Sequence, residues 1–248
     1  MKAIFTFTMG RTGTKYLAET LALNTQNAVC VHEYLGPHSF GMDAPDIGTM
    51  MRFNTDGVTA ENQDFWKKKF RRINERMRQS GAETYIETSH QLAKGGLIEN
   101  LPHLGADEVK IVCLKRDLVP VALSYRTRRE WFNRTISWLW YLDPAYELNL
   151  NQTPPLQEHG QDAMTLWYMK EMQLREQKYK KDYGGIFDFV DVKLEEISHT
   201  RGIREMLEKL GLPANPSIRV PPPSQRNASQ DRIYSDREDL YRKIGQFI

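Results

Sequence analysis

Short apolar runs alternate along the chain with longer amphipathic stretches, a pattern that predicts strands and helices in turn. Residues 1–8 (MKAIFTFT) read as a buried strand, with Ile4, Phe5 and Phe7 among β-formers. Residues 9–15 form a tight glycine turn. From Tyr16 the pattern turns helical, with Leu17, Leu21, Ala18 and Ala22 on neighbouring faces. Residues 27–31 are a second strand-like run ending in His32 and Glu33, and the Gly-, Pro- and Asp-rich residues 34–56 read as a long loop. Over 60–79, Trp66, Phe70, Ile73 and Met77 make one apolar helical stripe, and the run KKKFRR points mostly off it. That run reads as a solvated helix face, or as a docking surface for an acidic acceptor.

Strands are again predicted at 83–87 (ETYIE), followed by Thr88, Ser89 and His90, and at 109–114 (VKIVCL), which runs into Arg116. A helix is expected from Pro120 through VALSYRTRREWFNRTISWLWYL, since proline suits a first helical turn. On that stretch Trp131, Phe132, Trp138, Trp140 and Tyr141 read mainly as core, with a few free to floor an acceptor pocket. Residues 143–160, with three prolines, read as a loop or lid. A helix over 163–181, a strand over 186–192 and a helix capped by Gly211 follow. The chain closes with a loop over 217–232 and a helix over 235–247. Strands alternating with helices at these spacings predict a three-layer α/β/α domain around a central parallel sheet, spanning 1–248.

Composition narrows the picture. At 248 residues and 40% hydrophobic content the chain can bury a full core. A formal net charge of +2 supplies no field for nucleic acid. Cys30 and Cys113 lie in strand-like runs and read as reduced core residues of a cytoplasmic protein. The first strand begins at Met1, which leaves no space for a leader segment, and no apolar run approaches the ~20 residues of a membrane span.

The candidate chemistry begins at the first turn. Strand, glycine turn and helix gather backbone N–H groups around an anion. The turn TMGRTGTKY falls short of G-x-x-x-x-G-K-[ST], because Lys15 comes one place late and Tyr16 stands where a Mg²⁺-binding hydroxyl would be. A second anion site is expected at the end of 109–114, where Arg116 and Ser124, eight residues on, offer a guanidinium fork and a hydroxyl. The bland alternative there is an Arg116–Asp117 pair and a solvated serine.

Together these two segments resemble the PAPS-dependent sulfotransferases. TMGRTGTKYL is similar to their 5′-phosphosulfate loop, and IVCLKRDLVPVALSYRTR to their 3′-phosphate motif. FDFVDVKLEEISHTRGIREMLEKLGLP resembles their late strand and short helices. The resemblance implies a P-loop-like sulfotransferase fold and transfer of a sulfuryl group from 3′-phosphoadenosine 5′-phosphosulfate (PAPS) to a hydroxyl or amine, with no metal. The acceptor would be a small molecule, a carbohydrate or a lipid. It also implies that Gly10, Thr12, Gly13, Thr14 and Lys15 wrap the 5′-phosphate and that Arg116 and Ser124 hold the 3′-phosphate. Arg11 stands where many members carry Lys and would stabilise charge electrostatically. Arg226, in the polar loop QRNAS, would reach back over the 3′-phosphate.

For the base, Glu33 is preferred, then His90, whose TSH departs from the family's K-T-H, then His32. The competing readings are an ATP-dependent P-loop kinase and a catalytically silent nucleotide-binding protein of the same fold. Asp188 and Asp191 lie inside a predicted strand and make a poor Walker B acid.

Overall fold

A computed structural model describes residues 1–33, 44–131, 140–213, 215, 217–222 and 237–248. Five strands, β1 (Lys2–Phe7), β2 (Ala28–His32), β3 (Thr84–Thr88), β4 (Glu108–Lys115) and β5 (Asp188–Lys193), form one parallel sheet in the order β2-β3-β1-β4-β5. Every strand therefore delivers its carboxyl end to the same edge. From the central β1 the chain passes over β3 to reach β2, and later passes over β1 to reach β4. Such reversals place a crevice beside the central strand.

The two faces of the sheet are read directly from the period-two pattern of its strands. On one face Ile4, Val112, Leu114, Val190 and Val192 pack against α1 (Thr14–Asn24) and α7 (Thr200–Lys209), through Leu17, Leu21, Ile203, Met206 and Leu207. On the other, Ala3, Phe5, Phe7, Ile111 and Cys113 pack under α3 (Ala60–Ser80), α5 (Leu118–Arg128), α6 (Ala163–Tyr183) and α8 (Arg237–Phe247). The helices α2 (Ile47–Asp56) and α4 (Leu97–Asn100) complete the described set. The predicted stripe of α3 is fully engaged, since Trp66, Phe70, Ile73 and Met77 are all buried. Each such side chain contributes about 1.5–3 kcal/mol on burial.

Several expectations change. Part of the loop expected over 34–56 is α2, where Asp46 accepts from the Thr49 amide at 2.6 Å and caps a turn bearing buried Met50 and Phe53. Its apolar positions, Ile47, Met50, Met51 and Phe53, span barely two turns and lie among glycine- and aspartate-rich loop sequence, so they do not show as a period. The helix expected to run to residue 142 stops at Arg128, because Arg129 takes a left-handed φ of 52° and ends the ladder. Its start is at Leu118, capped by Asp117, which accepts from the Val119 amide at 3.1 Å. Phe132 and Trp138 lie outside the described residues, whereas Trp131, Trp140 and Tyr141 follow the helix in turns.

The strand expected over 186–192 begins at Asp188, leaving Ile186 exposed. Lys69, one cation of the KKKFRR run, is buried and donates to Glu87 on β3 at 2.9 Å, while Tyr85 donates to the other Glu87 oxygen at 2.8 Å. Segment 143–160, expected as a loop or lid, is irregular up to residue 156 and is held by hydrogen bonds to the body. The Leu150 and Asn151 amides donate to buried Glu171 at 2.9 and 2.6 Å, and Leu148 donates to the Asn54 carbonyl at 3.0 Å.

Candidate active site

The site is assembled by threonines of the central strand. Thr6 accepts from the Ser89 amide at 2.9 Å and lies 3.0 Å from the Ser89 carbonyl, so β1 fixes the turn that carries His90. Thr8 donates to the Leu114 carbonyl at 3.1 Å, fixing the end of β4 that carries Arg116. The turn between β1 and α1 then requires unusual backbone angles. Gly10 has φ 89°, Arg11 φ 59° and Gly13 φ 94°. For Arg11 that conformation costs about 1–2 kcal/mol, a strain of the kind that collects at functional turns. Gly13 is also needed for space, since a Cβ there would stand 2.7 Å from Leu194.

The helix begins at Thr14, two residues earlier than expected. No side chain caps its first turn and no acidic residue lies in it. Its amides and dipole are therefore available to an anion. Lys15 is exposed and pairs loosely with Glu19 at 3.7 Å.

Arg11, Ser124 and Arg116, far apart in sequence, meet here. Arg11 Nε donates to Ser124 Oγ at 2.9 Å, and Arg116 Nη1 donates to the Arg11 carbonyl at 3.3 Å. Asp117 caps α5 and receives a second role, its amide donating to Glu195 at 3.2 Å. A cleft of about 1010 Å³ opens beside the turn, bounded by Thr8, Thr12 and Arg116 and by Gln173, Glu176 and Tyr241 from α6 and α8.

Glu33 and His90 lie on the other side of Gly10, where a Cβ would meet the His90 ring at 3.2 Å. The His90 amide donates to Glu33 Oε1 at 2.9 Å, and its Nε2 lies 3.8 Å from the same oxygen. Burial pushes the Glu33 carboxyl up, but the His90 ring and amide, His32 and Lys94 outweigh it and hold it below the usual range. His90 is pushed down to about 3 by burial and then by Lys94, against the pull of Glu33. It is neutral near pH 7. His32 is engaged elsewhere, its Nδ1 lying 2.9 and 2.8 Å from the Thr88 carbonyl and hydroxyl.

Sequence reasoning missed the layer beneath. Tyr125 and Tyr168 both donate to the Met9 carbonyl at 2.7 Å. Burial raises both phenols well above their ordinary value, keeping them protonated donors. Lys94, fully buried, lies 2.8 Å from His90 Nδ1 and 3.2 Å from the Tyr168 oxygen, with the Tyr141 ring centroid 4.7 Å away. The one available signal was a lysine four residues after His90 in an apolar segment. Arg226 lies outside the described residues.

Fold and site together define a class: a parallel three-layer α/β protein with a glycine turn and an uncapped helix start after its central strand. Two solved structures share that architecture. A sulfotransferase domain from the olefin synthase of Synechococcus PCC 7002 superposes with a TM-score of 0.52 at 14% identity, over 96% of this chain and 82% of that one. A sulfotransferase from Alicyclobacillus acidocaldarius gives 0.51 at 13% identity, over 99% and 92%. No protein-family profile matches the chain, and no curated protein matches its sequence. The chain has the sulfotransferase fold. No described helix is long and apolar enough to cross a membrane.

Proposed function

We propose that the chain transfers a sulfuryl group from PAPS to a hydroxyl or amine of a small-molecule, carbohydrate or lipid acceptor. The observation that carries this reading is the meeting of Arg11, Ser124 and Arg116 at the mouth of the β1–α1 turn, with Glu33 on the far side of Gly10. The uncapped first turn of α1, the two glycines with positive φ and the adjoining cleft fit a phosphorylated nucleotide.

Each residue then has a distinct task. The amides following Gly10, with the Thr12 and Thr14 hydroxyls, hold the 5′-phosphate end of the donor. Arg116 and Ser124 recognise the 3′-phosphate. The donor supplies an activated sulfuryl group, whose transfer leaves negative charge on the departing oxygen. Arg11, always protonated, is held beside the turn through Ser124 and stabilises that charge without giving up a proton. Glu33, ionised at neutral pH, takes the proton of the acceptor hydroxyl or amine.

Calorimetry tests the donor half. Adenosine 3′,5′-bisphosphate is expected to bind at least about tenfold tighter than AMP, as one charge-assisted pair is worth ~1.5–3 kcal/mol. Equal affinities would remove the 3′-phosphate assignment. A transfer screen with ³⁵S-labelled PAPS against a broad acceptor library tests the other half.

A further inference from the structure

Between the donor turn and the candidate base runs a chain of buried polar contacts whose proton directions can be deduced. It starts at the Met9 carbonyl, which can only accept. Tyr168 donates its one proton there, at 2.7 Å. The Tyr168 oxygen is then left as an acceptor for Lys94, 3.2 Å away. Lys94 lies 2.8 Å from His90 Nδ1, and at the far side of the ring Nε2 faces Glu33 Oε1 at 3.8 Å. A bare Nε2 would turn its lone pair on a carboxylate. A proton on Nδ1 would forgo the hydrogen that Lys94 can offer there while it gives another to Tyr168. Both ends of the ring favour the same tautomer, with Nδ1 bare and Nε2 protonated.

Ring packing holds this arrangement. Tyr141 stacks on His90 with centroids 5.4 Å apart and planes 17° apart, and Lys94 sits against the faces of Tyr141 and Tyr168. The groups acting on His90 are Lys94, Glu33, His32 and Arg11, while Glu33, Arg175 and Glu130 act on Lys94. Burial pushes the Lys94 amine well below its ordinary value, and in either protonation state it still has hydrogens for Tyr168 and His90.

We infer that Lys94 is a positioning residue that locks His90 in the Nε2–H tautomer, so that His90 steers Glu33 and Glu33 alone serves as the base. His90 then has no free nitrogen with which to take an acceptor proton, since Lys94 occupies Nδ1 and Nε2 already carries hydrogen. The same chain ties the base to the Met9–Gly10 peptide of the donor turn, fixing their separation. This inference rests on the sulfuryl-transfer reading for what the base acts on, but the tautomer itself can be observed without any turnover.

Nitrogen-15 NMR of histidine-labelled protein, with no ligand added, distinguishes bare from protonated ring nitrogens. His90 is expected to show bare Nδ1 and protonated Nε2 between about pH 5 and 8, since its ring titrates at about 3. A proton on Nδ1 in the unaltered chain overturns the inference. In Lys94→Met the ring loses its donor, and a tautomer mixture that titrates at higher pH is expected. An unchanged spectrum would mean that Lys94 does not set the tautomer. Should Lys94→Met fail to fold, Tyr168→Phe removes the acceptor that orients the Lys94 amine, and there too an unchanged His90 spectrum counts against the proposal.

With an acceptor in hand, Lys94→Met should slow single-turnover transfer at least about tenfold while leaving adenosine 3′,5′-bisphosphate binding intact, a fraction of the 10²–10⁴ that a general base supplies. Normal transfer would refute the positioning role. The expected tautomer in a protein that transfers no sulfuryl group would sink the functional reading and leave the assignment of Lys94 standing.

Discussion

Arg11 carries two burdens, a left-handed backbone and a guanidinium aimed at Ser124. Arg11→Ala is expected to abolish transfer while relieving little strain, because alanine is equally disfavoured at that φ; residual transfer near the unaltered rate would remove its electrostatic role. Glu33→Gln should lower the single-turnover rate by about 10²–10⁴, the span a positioned base supplies. The pH profile follows from the same residue. Because the Glu33 carboxyl is held below the usual range, transfer should stay level as pH falls through about 5 and decline only beneath the ordinary carboxylate value of ~4.3. A midpoint well above that value would remove Glu33 as the base.

At the scale of elements, the strand and helix pattern acts through a few buried polar pins. Lys69 of α3 and Glu87 of β3 are both buried and joined at 2.9 Å. Glu87→Ala would strand the ammonium under the sheet and should cost about 3–5 kcal/mol by denaturant unfolding. A loss below ~1 kcal/mol would mean that Lys69 finds another partner. The β1–α1 turn is a second pin. Gly13→Ala must take a φ of 94° and push Leu194 aside from 2.7 Å, so a loss of at least ~1–2 kcal/mol is expected, read as a fall in Tm of several degrees.

For the whole molecule, the C-terminal helix is held by Asp162, which pairs with buried Arg126 of α5 and, at 3.1 Å, with Lys243 of α8. Asp162→Ala should loosen α8, seen as faster amide exchange across 237–247 than in the sheet. Acid should destabilise the entire fold. His90 titrates at about 3 in the folded chain and near 6.5 when unfolded, so between those values the unfolded state binds the extra proton and stability falls as pH falls. The lowered Glu33 carboxyl adds a loss in the same direction below its unfolded value of about 4.3. Denaturant midpoints measured from about pH 7 to 4 should therefore decline, and a flat profile would contradict the burial of neutral His90.

Local pattern was enough for most of the sheet and for the long helices, because the continuous apolar runs of β1 and β4 and the stripe on α3 extend over many residues. It also pointed to the glycine turn after β1 and to Arg116 and Ser124, which the fold brings together through Arg11. Helix α2 and the end of α5 were not legible, since the apolar positions of one span barely two turns and the other stops at a single backbone angle. Lys69 reads as solvated among its basic neighbours until Glu87 is brought beneath it from β3. The partners of His32 and His90 lie 56 to 78 positions away, Thr88 for His32 and Tyr168, through Lys94, for His90. The order of residues along the chain determined which groups stand at the carboxyl edge of the sheet. Only tertiary packing decided their hydrogen-bond directions, because a proton's place depends on every acceptor around it and not on its neighbours in sequence.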